Sequence, residues 1–138
     1  MDLSDINWLA VLASALLFFG MGAIWYGPVF GKAWQHATGL SDAELKDGGS
    51  SRIFAAAFIM SVIIALGMAI FLQSTVAQAS FSGADGALIG LMVGVFFILP
   101  STVMNYIFAR RPISLILVDA FYHIIAYTLV GMLLGAWQ

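Results

Sequence analysis

The sequence predicts an all-α integral membrane protein, a bundle of four transmembrane helices formed by two antiparallel hairpins. Of the 138 residues, 62% are hydrophobic and 9% are charged, whereas about 25% of a soluble domain is charged. Four stretches, at residues 7–30, 53–72, 84–108 and 113–137, are continuously apolar. Each is long enough to cross a bilayer, which takes about 20 helical residues. We expect residues 1–138 to form a single membrane domain.

Composition also excludes several classes of function. The net charge is −2, and nucleic-acid binding requires a basic surface. The chain has no cysteine and two histidines, which excludes thiolate metal sites and cysteine nucleophiles. We therefore expect no metal, no cofactor, no nucleic-acid partner and no catalytic residue, so the protein is not expected to be an enzyme.

The basic residues predict the orientation in the membrane. Lys32, Lys46 and Arg52 lie between the first and second spans, and Arg110 and Arg111 lie between the third and fourth. Because basic connections stay on the cytoplasmic side, we expect both termini on the non-cytoplasmic side of a bacterial inner membrane. The first basic connection also contains a capping box, Ser41 to Glu44, which predicts a short interfacial helix.

Small residues recur at helical spacing in the third and fourth spans. A spacing of four places them on one helix face, where a second backbone can approach closely. The pattern does not distinguish packing within the chain from packing between subunits, and we expect self-association. The glycines concerned are Gly86, Gly90, Gly94, Gly131 and Gly135.

Ionisable side chains in the last span form the main candidate site. Asp119 and His123 lie four residues apart inside an apolar stretch, and such groups are costly in a bilayer unless they face protein or water. The third span returns from the same surface, so its polar residues are predicted to face Asp119. The predicted polar seam consists of Asp119, His123, Tyr127 and the flanking Tyr122, with Ser101, Thr102 and Asn105 opposite.

Two functions of this seam remain open from the sequence. It could line a path for a proton or ligand, in which a paired carboxylate and imidazole exchange a proton. It could equally be a structural clamp, in which Asp119 binds His123 or reaches Arg110 or Arg111. Pro100, within the third span, predicts a bend or a hinge beside the seam.

An aromatic string ends the first span. Glycine and proline allow a turn there, and aromatic rings are typical of the headgroup level, so we expect membrane anchoring or the lining of an opening to the seam. Trp25-Tyr26 and Asn105-Tyr106 fall at similar depths, which permits an internal repeat. The predicted interfacial residues are Trp25, Tyr26, Pro28, Lys32, Trp34, Arg110 and Arg111.

The string WYGPVFGKAW at residues 25–34, together with four spans and an aspartate early in the last span, resembles a family of bacterial membrane proteins, domain of unknown function 1761. The resemblance covers nearly the whole chain. It implies a four-helix inner-membrane protein and brings no activity, substrate or cofactor.

The leading hypothesis is therefore an oligomeric transporter or channel for protons or a small solute. The alternative is a non-catalytic accessory or structural subunit of a larger membrane complex, bound through the glycine faces. A third and weaker hypothesis is an enzyme acting on lipid, against which the lack of a convincing nucleophile or metal cluster in the sequence counts. The expected partners are the lipid bilayer, other copies of the chain and, in the alternative, another membrane protein.

Overall fold

The computed structural model describes residues 5–47, 50–75 and 81–137, and the regular structure within these ranges is helical. Two π-helical turns interrupt the sequence of α-helices. The elements are α1 (Trp8–Ile24), a first π turn (Trp25–Val29), α2 (Gly31–Thr38), α3 (Asp42–Asp47), α4 (Ser50–Thr75), α5 (Gly83–Val93), a second π turn (Gly94–Ile98), α6 (Leu99–Phe108) and α7 (Ile113–Ala136).

Four helical segments are long and apolar enough to cross a membrane, which confirms the predicted number of spans. They cover Trp8–Val29, Ser51–Thr75, Gly83–Phe108 and Ile113–Ala136. Their ends lie within three residues of the predicted boundaries, because polar caps and turn residues mark those ends in the sequence. At the start of α1, for example, the Asn7 side chain accepts a hydrogen bond from the backbone N–H of Ala10.

The first connection is more helical than the sequence analysis predicted. The predicted capping box forms, since the Ser41 backbone and hydroxyl both donate to the Glu44 carboxylate, at 2.8 and 2.6 Å. The hydrogen bond from the Ser41 side chain lowers the pKa of Glu44. The additional helix α2 ends at Gly39, whose φ of 77° is the left-handed conformation that glycine adopts without strain.

Each π turn is associated with a proline, which lies inside the first turn and shortly after the second. Pro28 has no N–H to donate, and in the turn around it the Phe30 N–H bonds to the Trp25 carbonyl, five residues back, at 2.8 Å. In the third span the irregular turn precedes Pro100, which occupies the first turn of α6, where a missing donor costs little. The irregularity of the third span is thus a widened turn that ends two residues before Pro100.

Helix α7 lies at the centre of the packing. It contacts α1, α4, α5 and α6, and α1 also packs against α4. The buried core between α1, α4 and α7 includes Ala15, Phe18, Ala65 and Val130. Large apolar side chains such as Phe108 point outward instead, as expected for surfaces that meet lipid.

The glycines of the third and fourth spans pack within the chain. A Cβ on Gly86 would collide with the carbonyl oxygen of Gly131, and one on Gly90 would collide with the carbonyl of Tyr127. A Cβ on Gly135 would lie 2.7 Å from the backbone carbonyl oxygen of Ser82. The sequence left packing within or between chains open, and the structure shows these glycines holding α5 against α7. Gly94 continues the same face, where a Cβ would lie 2.9 Å from the Cα of Ile124.

Candidate functional site

The Asp119 carboxylate lies between two tyrosines from other spans. Its side chain is 6% exposed. The Tyr26 hydroxyl donates to Oδ1 at 2.8 Å, and the Tyr106 hydroxyl donates to Oδ2 at 2.7 Å. Each carboxylate oxygen thus has a donor, which offsets part of the cost of removing this group from water.

The first π turn brings two consecutive aromatic residues onto α7. The indole Nε1–H of Trp25 donates to the Val118 carbonyl at 3.0 Å, one residue before the aspartate that Tyr26 binds. Both residues belong to the widened turn around Pro28, so this irregular segment supplies two of the contacts to α7.

His123 does not bind the Asp119 side chain. Its Nδ1 lies 2.7 Å from the backbone carbonyl oxygen of Asp119. Since a carbonyl oxygen only accepts, Nδ1 must carry the hydrogen, and in the neutral ring Nε2 is then an acceptor. The predicted carboxylate–imidazole pair is wrong in this respect, because the hydroxyls of Tyr26 and Tyr106 occupy the two carboxylate oxygens.

Aromatic rings surround His123. Tyr122 makes an edge contact with it, with ring centroids 4.9 Å apart, and Tyr127 stacks on it at 6.5 Å. Phe18 of α1 has its ring centroid 5.5 Å from that of Tyr122, and its carbonyl accepts the Tyr122 hydroxyl at 2.9 Å. The imidazole is held by these rings and by its bond to α7.

A cleft of about 540 Å³ lies beside the imidazole, between α1, α4 and α7. Its walls are mostly apolar and aromatic, and His123 and Ser61 supply polar atoms. Tyr26 also lines the cleft, so this residue connects the cleft to the buried carboxylate. A volume of this size is typical of small-molecule sites, which range from about 300 to 1,000 Å³. The lining includes Phe18, Gly22, Tyr26, Ala57, Ser61 and His123.

A second cavity lies toward the other ends of the same three helices. It measures about 150 Å³ and is lined by Asp5, Asn7, Ala10 and Gln73, among others. Between the two cavities the helices are packed closely, with Ser14, Ala65 and Val130 essentially inaccessible. The Ser14 hydroxyl within this packed layer has no hydrogen-bond partner among the residues that the structure describes.

The predicted polar residues of the third span are not the partners of Asp119. Ser101 and Asn105 are exposed and Thr102 is half-buried, while Tyr106, the residue after Asn105, makes the contact. Because the neighbouring residue makes the contact, the rotation of α6 about its axis differs from the predicted one. The other predicted contact of Asp119 was with Arg110 or Arg111. In the structure its carboxylate instead accepts the hydroxyls of Tyr26 and Tyr106.

The predicted interfacial residues divide into two groups. Trp25 and Tyr26 bind α7, and Trp34 makes an edge contact with Tyr26 at 5.9 Å. The remaining four are exposed at the ends and connections of the helices: Pro28, Lys32, Arg110 and Arg111.

Three residues of the site were absent from the predicted seam. Tyr26 was expected at the interface or at an opening to the seam, Tyr106 was noted only for its depth, and Ser61 was not predicted to belong to the site. A tyrosine beside a predicted seam, at the depth of a buried acid, is the signal that could have identified Tyr106. The contribution of α4 to the cleft had no such signal.

Within the described ranges, no cluster of three or more histidine, cysteine, aspartate or glutamate side chains could hold a metal ion. A family model described as "Protein of unknown function (DUF1761)" matches residues 9–135. Neither a curated protein nor a solved structure matches the chain.

Proposed function

Because the chain belongs to the DUF1761 family, whose function is unknown, we propose a function from the site itself: small-solute transport across the membrane, linked to protons. In this proposal the cleft between α1, α4 and α7 holds the solute, and Asp119 carries the proton. The observation that carries the proposal is the position of Tyr26, which lines the cleft and donates to the buried carboxylate.

The arrangement of the two cavities supports transport. Both lie along the same three helices, and a closely packed layer that includes Ser14 and Ala65 separates them. A transporter needs a site that is open to one side and closed to the other at a given time. In this proposal the larger cleft is the site that opens to one side, and the packed layer is the barrier that closes it from the other side.

Tyr26 provides a physical link between the proton and the solute. An unprotonated carboxylate accepts the Tyr26 and Tyr106 hydroxyls on its two oxygens. When Asp119 takes up a proton, one oxygen becomes a donor, and the Tyr26 hydroxyl can turn toward the cleft. The binding of a solute in the cleft would therefore depend on the protonation state of Asp119.

We place the basic connections on the cytoplasmic side of the inner membrane and both termini on the opposite side. The supporting observation is that four of the five basic residues lie in the first and third connections: Lys32, Lys46, Arg110 and Arg111. Arg52, predicted in the first connection, lies in the first turn of α4, at the same end of that span. The glycine contacts run from Gly86 near Gly135 to Gly94 near Ile124, which supports an antiparallel hairpin of the third and fourth spans. Helix α3 is proposed to lie at the cytoplasmic surface.

Self-association is also proposed, but the glycines do not support it. Gly86, Gly90 and Gly131 are enclosed between α5 and α7 of one chain, so any contact between copies must use other surfaces. The accessory role loses its expected docking surface for the same reason. Transport is therefore the function that the geometry favours.

Purified protein in liposomes that contain a pH-sensitive dye tests the proposal. Under a potassium diffusion potential with valinomycin, we expect proton entry well above that of empty liposomes. Asp119→Asn should abolish this flux, because an amide side chain does not take up and release a proton near neutral pH. The variant should remain monodisperse and helical.

Asp42→Asn is the matched control, since it makes the same chemical change on the surface helix α3. Its Oδ1 accepts a hydrogen bond from Gln35 at 2.7 Å, which an amide oxygen can also accept. This variant should conduct like the wild type. Equal flux through the wild type and Asp119→Asn would remove the aspartate from the mechanism, and wild-type flux equal to that of empty liposomes would refute the proton linkage.

A further inference from the structure

We infer that the cleft between α1, α4 and α7 binds a neutral, lipid-soluble aromatic compound that carries a hydroxyl group, and that this hydroxyl donates to Nε2 of His123. This inference specifies the solute class of the proposed transport role and rests on it for its biological meaning.

The shape and lining of the cleft favour an aromatic occupant. Its volume of about 540 Å³ accommodates a fused-ring compound. The rings of Phe18 and Tyr122 stand nearly perpendicular, at 77°, and both line the cleft. Edge-to-face contacts of this kind are favourable for a further ring.

Two of the polar side chains that line the cleft, those of His123 and Ser61, offer acceptors. The Nδ1–H of His123 is used by the Asp119 carbonyl, which leaves Nε2 as an acceptor in the neutral ring. The Ser61 hydroxyl donates to the Ala57 carbonyl at 2.9 Å, so its oxygen lone pairs remain for a donor. A ligand with a hydroxyl group complements these atoms, whereas a lipid acyl chain would leave both without a donor.

The charge of the lining favours a neutral compound. Asp119 does not line the cleft, and its oxygens are occupied by Tyr26 and Tyr106. No lysine, arginine, aspartate or glutamate is among the described residues that line it. An ion would therefore leave water for an apolar wall without a counter-charge, which is unfavourable.

Binding of 2-naphthol to the protein in lipid nanodiscs tests this inference, with 2-methoxynaphthalene as the ligand that lacks the donor. The chain has only two histidines, so ¹⁵N-histidine labelling separates His123 in the cleft from the exposed His36, which serves as the internal reference. We expect 2-naphthol to shift the Nε2 resonance of His123 and to bind about tenfold more tightly, per mole fraction in the bilayer, than its methyl ether.

Two variants complete the test. His123→Phe keeps the ring and should abolish the preference for 2-naphthol. Ala57→Phe fills the cleft and should block both ligands. Equal binding of the two ligands, or an unchanged preference in His123→Phe, would identify the cleft as a surface for acyl chains and overturn the inference.

The failure of this inference and the failure of the transport proposal are distinguishable. The shift at His123 is recorded on the wild type without a proton gradient, so it measures binding separately from proton flux. Binding without proton flux would support the site and refute the transport role. Proton flux without the shift at His123 would support the transport role and refute the binding site.

Discussion

The two tyrosine hydroxyls on Asp119 make a quantitative prediction about stability. Tyr26→Phe and Tyr106→Phe each remove one hydrogen bond of 2.7–2.8 Å to a side chain that is 6% exposed. Hydrogen bonds to charged groups contribute about 1.5–3 kcal/mol in water-soluble proteins, whereas bonds between membrane helices average about 0.6 and reach about 1.7 kcal/mol. We expect each variant to lower the free energy of unfolding by about 1 kcal/mol.

The double variant is more informative than the single ones. With one tyrosine removed, the other still donates to the carboxylate. With both removed, a buried carboxylate has no donor from either residue, so the loss should exceed the sum of the single losses by about 1–2 kcal/mol. Equilibrium unfolding with SDS in mixed micelles, followed by circular dichroism, measures these values.

Tyr127→Phe is the matched control for this prediction. Tyr127 is buried on α7 like Asp119, and its hydroxyl has no hydrogen bond among the residues that the structure describes. It should change the free energy of unfolding by less than about 0.5 kcal/mol. If the variants of Tyr26 and Tyr106 also stay within this limit, and the double variant with them, the tyrosines do not stabilise the carboxylate and the assignment of the site is wrong.

Two further predictions concern packing and pH. Gly90→Ala should destabilise the protein by about 1–3 kcal/mol, because its Cβ would collide with the Tyr127 carbonyl. Gly67→Ala is the control and should be neutral in the same unfolding assay, because nothing lies within 4 Å of its new Cβ. Equal effects of the two substitutions would contradict the tight crossing of α5 and α7. The lowered pKa of Glu44 means that its capping interaction stabilises α3 above the carboxyl's pKa in the unfolded chain and is lost as the pH falls through its pKa in the folded protein. An NMR titration should find this pKa below the ordinary glutamate value and, in Ser41→Ala, higher than in the wild type but still lowered, because the backbone N–H of residue 41 continues to donate to the carboxylate. An unchanged pKa in the variant would exclude the hydroxyl as the cause.

The sequence predicted well what depends on neighbours along the chain. The four spans follow from runs of apolar residues, and the helix α3 follows from the capping box of Ser41 and Glu44. The glycine spacing predicted one face for close packing, and in the structure Gly86 and Gly90 lie against the backbone of α7. These features depend on residues within a few turns of one another, so no tertiary information is needed to recognise them.

The partners of Asp119 were beyond the sequence. A depth estimate places Asn105 and Tyr106 almost equally well, but they lie about 100° apart around a helix of 3.6 residues per turn, and only one can face α7. The local backbone at Pro28 matters as well, since a π turn brings Trp25 and Tyr26 together onto α7. Straight-helix reasoning does not include such a turn.

The sequence by itself therefore determined that this chain forms four apolar helices with an acid and an imidazole in the last one. The tertiary structure decided that Tyr26 and Tyr106 meet the acid, that His123 binds a backbone carbonyl, and that α4 completes a cleft beside it. The physical reason is the solvent. In lipid, both the packed and the outward faces of a helix are apolar, so the pattern of residues does not specify its rotation, and the contacts between helices do.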